Sequence, residues 1–168
     1  MKALVKVLSC DIGQTPAKGL ITAVNSGEMW YGGIDRVIET NAGSMFHSQL
    51  RSIPLVDGKA IVAKGRPHRG RFENEVFVID DLGLPLEQIV TAGLKAAEAT
   101  GLSTLTVPTL RMGVMAGARE TKAQAAVAIA RAIKDFVAQQ GPESSVREIS
   151  VVTFRDPEAE RMLKAELL

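Results

Sequence analysis

Apolar residues alternate with polar ones in short runs of the chain and recur at helical spacing in longer ones, and the switches between these two periods outline its elements. Residues 2–10 alternate partly and carry Leu4, Val5, Val7 and Leu8, which predicts a first strand closed by Asp11-Ile12-Gly13. Residues 18–24, with Leu20, Ile21, Ala23 and Val24, predict a second. It breaks at Asn25-Ser26-Gly27. Beyond Gly32-Gly33 the spacing turns helical, with Ile34, Val37, Ile38, Met45, Phe46 and Leu50 as apolar positions. One helix is predicted over residues 33–50, and an interruption at Asn41-Ala42-Gly43 is left open.

Residues 75–80 predict another strand, closed by Asp81-Leu82-Gly83. A helix is predicted over residues 85–100, where Leu86, Ile89, Val90, Leu94 and Ala97 keep helical spacing between Pro85 at the start and Gly101 past the end. A short β-branched strand over residues 103–108 follows, then a long amphipathic helix over residues 118–140 with Ala125, Ala126, Ile129, Ile133, Phe136 and Val137 on its buried side. The order closes with a strand over residues 148–154 and a last helix with Asp156 as N-cap and Pro157 at its first position. Strands that alternate with helices predict an α/β fold.

Composition narrows this picture only a little. At 168 residues the chain is expected to be one domain, residues 1–168. Lys and Arg (20) nearly balance Asp and Glu (19), so bulk charge does not point to nucleic acid. The start, Met1 to Leu8, has Lys6 inside its apolar run and no small-residue cleavage site, so it does not read as a signal peptide. No apolar run approaches the roughly 20 residues of a membrane span, so a soluble, cytoplasmic protein is expected. The single cysteine, Cys10, is read as a buried structural thiol in a reducing compartment. Lys64, Arg66, His68, Arg69 and Arg71 form a basic cluster with Phe72 as its aromatic neighbour. That cluster reads as a solvated loop that helps attract an anion, without sequence-specific nucleic-acid binding. His47 has no ligand-type partner at metal spacing and is read as a surface or capping residue, and no metal site is predicted.

The candidate chemistry lies in two junctions of the same kind, each a strand, a Gly-containing loop and a helix start. The first runs from Asn25 through Gly32-Gly33-Ile34 to Asp35, the second from Thr109 through Gly113-Val114-Met115-Ala116 to Gly117. Right-handed crossovers place both along one edge of the sheet. Converging backbone N–H groups at a helix N-terminus favour a phosphate. The residues alone also allow Gly32-Gly33 to be an ordinary loop, Asp35 a first-turn acid complementing the helix dipole, and Asp11 a polar residue after a strand.

The first junction resembles the macro domain family, whose first loop reads roughly Asn-Ala-Ala-Asn, a few residues, several Gly, then a hydrophobic residue and Asp. Asn25 matches the second Asn, Gly32-Gly33 the last two glycines and Ile34-Asp35 the closing pair; Thr22 stands at the first Asn and Trp30-Tyr31 at the first two glycines. Asp11-Ile12 resembles the Asp-Ile of a Gly-Asp-Ile element that holds adenine, with Cys10 for the Gly. Residues 58–63 resemble the Gly-Glu-Ala-Val that opens a middle strand. In the second loop Gly113-Val114-Met115-Ala116 resembles the core of Gly-x-Gly-Ile-Phe/Tyr-Gly, with Arg111 for the first Gly, Met115 for the aromatic and Ala116 for the last Gly. Arg111 pairs with a phosphate if it points inward and otherwise faces solvent. The resemblance spans residues 2–165.

It implies a three-layer α/β/α sandwich around a central mixed, mostly parallel sheet. It also implies a cleft in which Asp11 and Ile12 hold adenine. Gly32, Gly33, Ile34, Gly113, Val114, Met115, Ala116 and Gly117 would wrap the diphosphate and ribose, and Asn25 and Asp35 would flank the distal ribose. The implied function is binding of ADP-ribose or a related NAD-derived nucleotide, with hydrolysis of ADP-ribosyl linkages on protein or nucleic acid, or of the O-acetyl ester. Asp35 would position or activate water while Asn25 holds the ribose hydroxyls, and no cofactor is needed. The alternative is a binding module without turnover.

Overall fold

In the computed structural model, which describes residues 1–27 and 33–168, six strands form one sheet in the order β1-β6-β5-β2-β4-β3. They are β1 (Leu4–Ser9), β2 (Ala17–Val24), β3 (Ala60–Lys64), β4 (Phe72–Ile79), β5 (Thr104–Pro108) and β6 (Glu148–Thr153). All pairings are parallel except that of β3, which runs antiparallel to β4 at the sheet's edge and is a middle strand in chain order only. Representative register pairs are Val7↔Val151, Leu105↔Ile149, Leu20↔Thr106, Thr22↔Phe77 and Ile61↔Phe77. Because five strands share a direction, their C-terminal ends lie along one edge, the place where open α/β sheets bind ligands.

Side chains alternate across each strand, so each face of the sheet has its own core. Ile21, Val76, Val78, Leu105, Val107, Ile149 and Val151 face helices α2 (Leu86–Ala99), α3 (Lys122–Gln139) and α4 (Pro157–Leu167). Leu20, Val24, Phe77 and Ile79 face α1 (Gly33–Ala42) and the short helix His47–Leu50. The expected three-layer α/β/α sandwich with a mixed, mostly parallel sheet is therefore present. No helix of the described residues is long and apolar enough to cross a membrane.

Three local readings are corrected. The helix expected over residues 33–50 ends at Ala42, where Gly43 takes φ +58° and its N–H bonds to the Glu39 carbonyl. Phe46 and Leu50 stay buried because the short helix after the break presents them to the same core. Helix α3 starts at Lys122 instead of residue 118. There Thr121 and Gln124 form a capping box, with Thr121 Oγ1 accepting from the Gln124 N–H at 3.1 Å and Gln124 Oε1 from the Thr121 N–H at 3.0 Å. Cys10 is exposed: β1 stops at Ser9, and the thiol lies in the bend beyond it, 3.3 Å from Thr15 Oγ1.

Candidate functional site

A cavity of about 490 Å³ opens at the C-terminal ends of the parallel strands. Each strand end delivers part of its wall. After β1 the chain turns through Asp11, whose Oδ1 accepts from the Gly13 N–H at 2.9 Å; Ile12 lies buried beside it. Thr22 and Ala23 of β2 form the floor, and Gly33, Ile34 and Asp35 at the start of α1 form a second side. The turn after β5 contributes residues 108–111 and 113–115, and Phe154 closes the rim beyond β6. Asp11, Ile12, Gly33, Ile34, Asp35, Gly113, Val114 and Met115 therefore share one cleft.

Other candidate residues sit elsewhere. Asn25, half-buried just past β2, is not in the described wall. Ala116 and Gly117 turn away from it: the Ala116 N–H bonds to the Gly113 carbonyl, and Gly117, at φ +82°, donates to the Glu120 carbonyl. Gly32, with Trp30 and Tyr31, lies outside the described residues. The basic segment leaves the end of β3 as a loop, with Lys64, Arg66, Arg69 and Arg71 exposed. Its backbone N–H groups at Arg69 and Arg71 bond to the carbonyls of Asn41 and Gly13. His68 packs its ring against Phe46 and Phe72.

Arg111 does not face solvent; its guanidinium is held by the protein. At φ +59° and 5% exposed, it directs Nε, Nη1 and Nη2 onto Asp80, Glu120 and the Leu84 carbonyl. Nε donates to Asp80 Oδ2 at 3.1 Å and Nη2 to Asp80 Oδ1 at 2.5 Å and to the Leu84 carbonyl at 3.0 Å. Nη1 reaches both Glu120 oxygens, at 2.8 and 2.6 Å. Burial works against its charge, but the bonds to Asp80 and Glu120 outweigh that and hold its pKa above the ordinary value. The residue is a clamp that ties the second loop to the end of β4 and to the approaches of α2 and α3.

Sequence reasoning missed three features. Asp35 is buried, and its Oδ1 lies 2.9 Å from His47 Nε2, so His47 is an interior partner of a candidate catalytic group and not a surface or capping residue. A carboxylate only accepts, so Nε2 carries the hydrogen. The pair is separated by 12 residues and depends on the break at Gly43, so no helical spacing announces it. Glu75 is fully buried in β4, and neither carboxyl oxygen has a hydrogen-bond partner among the described residues. Burial, and after it the charge of Asp35, pushes its pKa well above the ordinary value of 4.5. The signal was available here: Glu75, Phe77 and Ile79 alternate onto one face. Phe154 is 60% exposed at the cleft rim, with the Arg155 guanidinium 4.9 Å from its ring centroid.

A scan against protein-family models finds no match, and a search of curated proteins finds none either. Among solved structures the chain superposes on macrodomains. A point mutant of the Oceanobacillus iheyensis macrodomain with ADPR matches at TM-score 0.78 and 18% identity, over 99% of this chain and 92% of that one. The Trypanosoma brucei macrodomain in complex with ADP matches at TM-score 0.82 and 14% identity, over 98% and 69%. The same macrodomain in complex with ADP-ribose matches at 0.77 and 14%, over 96% and 68%. At these identities the likeness is one of fold, and the fold is the macrodomain's.

Proposed function

With the macrodomain fold as premise, we propose that the cleft binds ADP-ribose or a related NAD-derived nucleotide and that the protein hydrolyses ADP-ribosyl linkages or esters. The observation that carries this reading is Asp35, a buried carboxylate placed at a helix start in the wall of a cavity of about 490 Å³. A purely structural first-turn acid needs no burial and no cleft. That volume lies within the usual range for small-molecule sites, about 300–1,000 Å³. Macrodomains of this fold have been solved with ADPR, ADP and ADP-ribose, which supports the choice of ligand.

In this reading the adenine end lies by Asp11, whose Oδ1 already caps Gly13 and whose other oxygen accepts from the exocyclic amine. The ring of Phe154 offers an apolar face for the purine. Gly33 and Gly113 allow the backbone to approach the diphosphate, and the Gly113 backbone has open space around it. At the distal ribose, Asp35 directs a water at the anomeric carbon. The new C–O bond forms as the bond to the acceptor oxygen breaks, the acceptor leaves with the pair of that bond, and the water's proton passes by way of Asp35 to the departing oxygen or to solvent. For an ester the same water attacks the acyl carbon, the bond from that carbon to the ribose oxygen breaks with its pair left on the ribose oxygen, and the water's proton passes to that oxygen. Asn25 is assigned to the ribose hydroxyls on the resemblance.

The test is release of ADP-ribose from an ADP-ribosylated protein by the wild type and by Asp35→Ala. Turnover by the wild type and a loss of about 100-fold or more in the variant supports the reading. Turnover that survives the change removes Asp35 from the chemistry, and binding without turnover makes the protein a recognition module.

A further inference from the structure

We propose that His47 is a positioning residue for Asp35, fixing from behind the cleft wall the orientation of the carboxylate that directs the water. The inference rests on the reading of Asp35 given above and adds the group that sets its geometry.

The chain spends structure on this contact. Asp35 sits in the first turn of α1, and after Ala42 the chain leaves the helix at Gly43 and turns into His47–Leu50. That turn places His47 Nε2 2.9 Å from Asp35 Oδ1, with the two residues 8% and 3% exposed. A buried polar pair is costly to desolvate, and the same segment already supplies Ile38, Phe46 and Leu50 to the core. The imidazole plane is itself set, because the ring packs on Phe77 of β4 at 5.0 Å between centroids and 54° between planes. The orientation of Asp35 is therefore referred to the sheet. His47 is not in the cleft wall, whereas Asp35 is, so the histidine acts through the carboxylate and not on the ligand.

Glu75 completes the arrangement. It lies two residues from Phe77 on the same strand face, and burial, then the charge of Asp35, shifts it toward the acid form.

A carboxylate free to rotate about two side-chain bonds reaches the attacking water in only some of its orientations, and misplacement of about 1 Å costs on the order of 100-fold in rate. His47→Phe keeps the ring packing and removes the donor; His47→Gln keeps a donor near the Nε2 position. ADP-ribose affinity by calorimetry, kcat and KM for ADP-ribose release, and thermal stability are measured for both. The expected result is a kcat lower by about 100-fold in His47→Phe and within about 10-fold of wild type in His47→Gln, with ADP-ribose affinity within about twofold in each. His47→Leu carries the same expectation as His47→Phe and replaces it if the Phe variant does not fold. Wild-type kcat in the Phe or Leu variant overturns the inference alone. So does a His47→Gln variant as slow as His47→Phe, or a loss of kcat matched by loss of ADP-ribose affinity, which marks a structural role. No turnover by the wild type overturns the hydrolytic reading, and the inference with it.

Discussion

Replacing Glu75 by Gln isolates the energetic consequence of burying a carboxyl with no hydrogen-bond partner among the described residues. Gln keeps the shape and removes the titration. In the unfolded chain the carboxyl ionises around its ordinary value of 4.5, whereas in the fold burial and the charge of Asp35 hold it protonated well above that value. A raised folded-state pKa means that the stabilising contribution is fully present below the unfolded value and is lost as pH rises toward the folded one. Over that window the unfolded state releases one proton that the folded state keeps. Wild type therefore loses about 1.4 kcal/mol of stability per pH unit relative to Glu75→Gln.

The assay is urea unfolding of both proteins at a series of pH values from about 4 to about 7, taking the difference in unfolding free energy at each. Both proteins bury a polar group at this site, so any constant offset cancels and the slope is the readout. The difference should be flat below the ordinary carboxylate value and then turn in favour of Gln with the stated slope. Adding Asp35→Asn to both proteins should narrow the window, because the second cause of the shift is the charge of Asp35. A difference that does not change with pH would refute the reasoning, as would a wild type that gains on Gln as pH rises.

Two further substitutions test other parts of the site. Arg111→Met leaves Asp80 and Glu120 without the cation that bridges them, and breaking a buried pair of this kind costs about 3–5 kcal/mol, measured as the shift in urea midpoint. A variant within about 1 kcal/mol of wild type would show that the clamp is not a main support of the second loop. Phe154→Ala should weaken ADP-ribose and AMP alike, by about 1 kcal/mol or roughly fivefold, in calorimetric titrations, if the rim ring at Phe154 stacks on the purine as proposed. Loss confined to ADP-ribose would place Phe154 at the other end.

Much of the frame was legible because local rules and tertiary packing agreed. Leu86, Ile89, Val90, Leu94 and Ala97 recur at helical spacing and are all fully buried in α2, and Asp156 caps α4 with its side chain accepting from the Ala159 N–H. The cleft followed from direction alone, since parallel strands bring Asp11, Asp35 and the second loop to one edge. What escaped were facts that periodicity does not carry. Met45, Phe46 and Leu50 continue the spacing of Ile34, Val37 and Ile38 across Gly43, so periodicity alone left open the interruption at Asn41-Ala42-Gly43 that Gly43 at positive φ makes. The contact of Asp35 with His47 exists only because of that interruption. Arg111 was read through its charge, but its role comes from Asp80 and Glu120, 31 and 9 residues away, which close around it in the fold. Cys10 looked interior because the apolar run seemed to include it, whereas β1 ends one residue earlier.

The claim that the cleft is a site for ADP-ribose is tested most directly by isothermal titration calorimetry of ADP-ribose into the purified protein, with AMP and NAD titrated separately. The expected result is one site per chain, with ADP-ribose at least about tenfold tighter than AMP. No heat with ADP-ribose, or affinity equal to that of AMP, would contradict it.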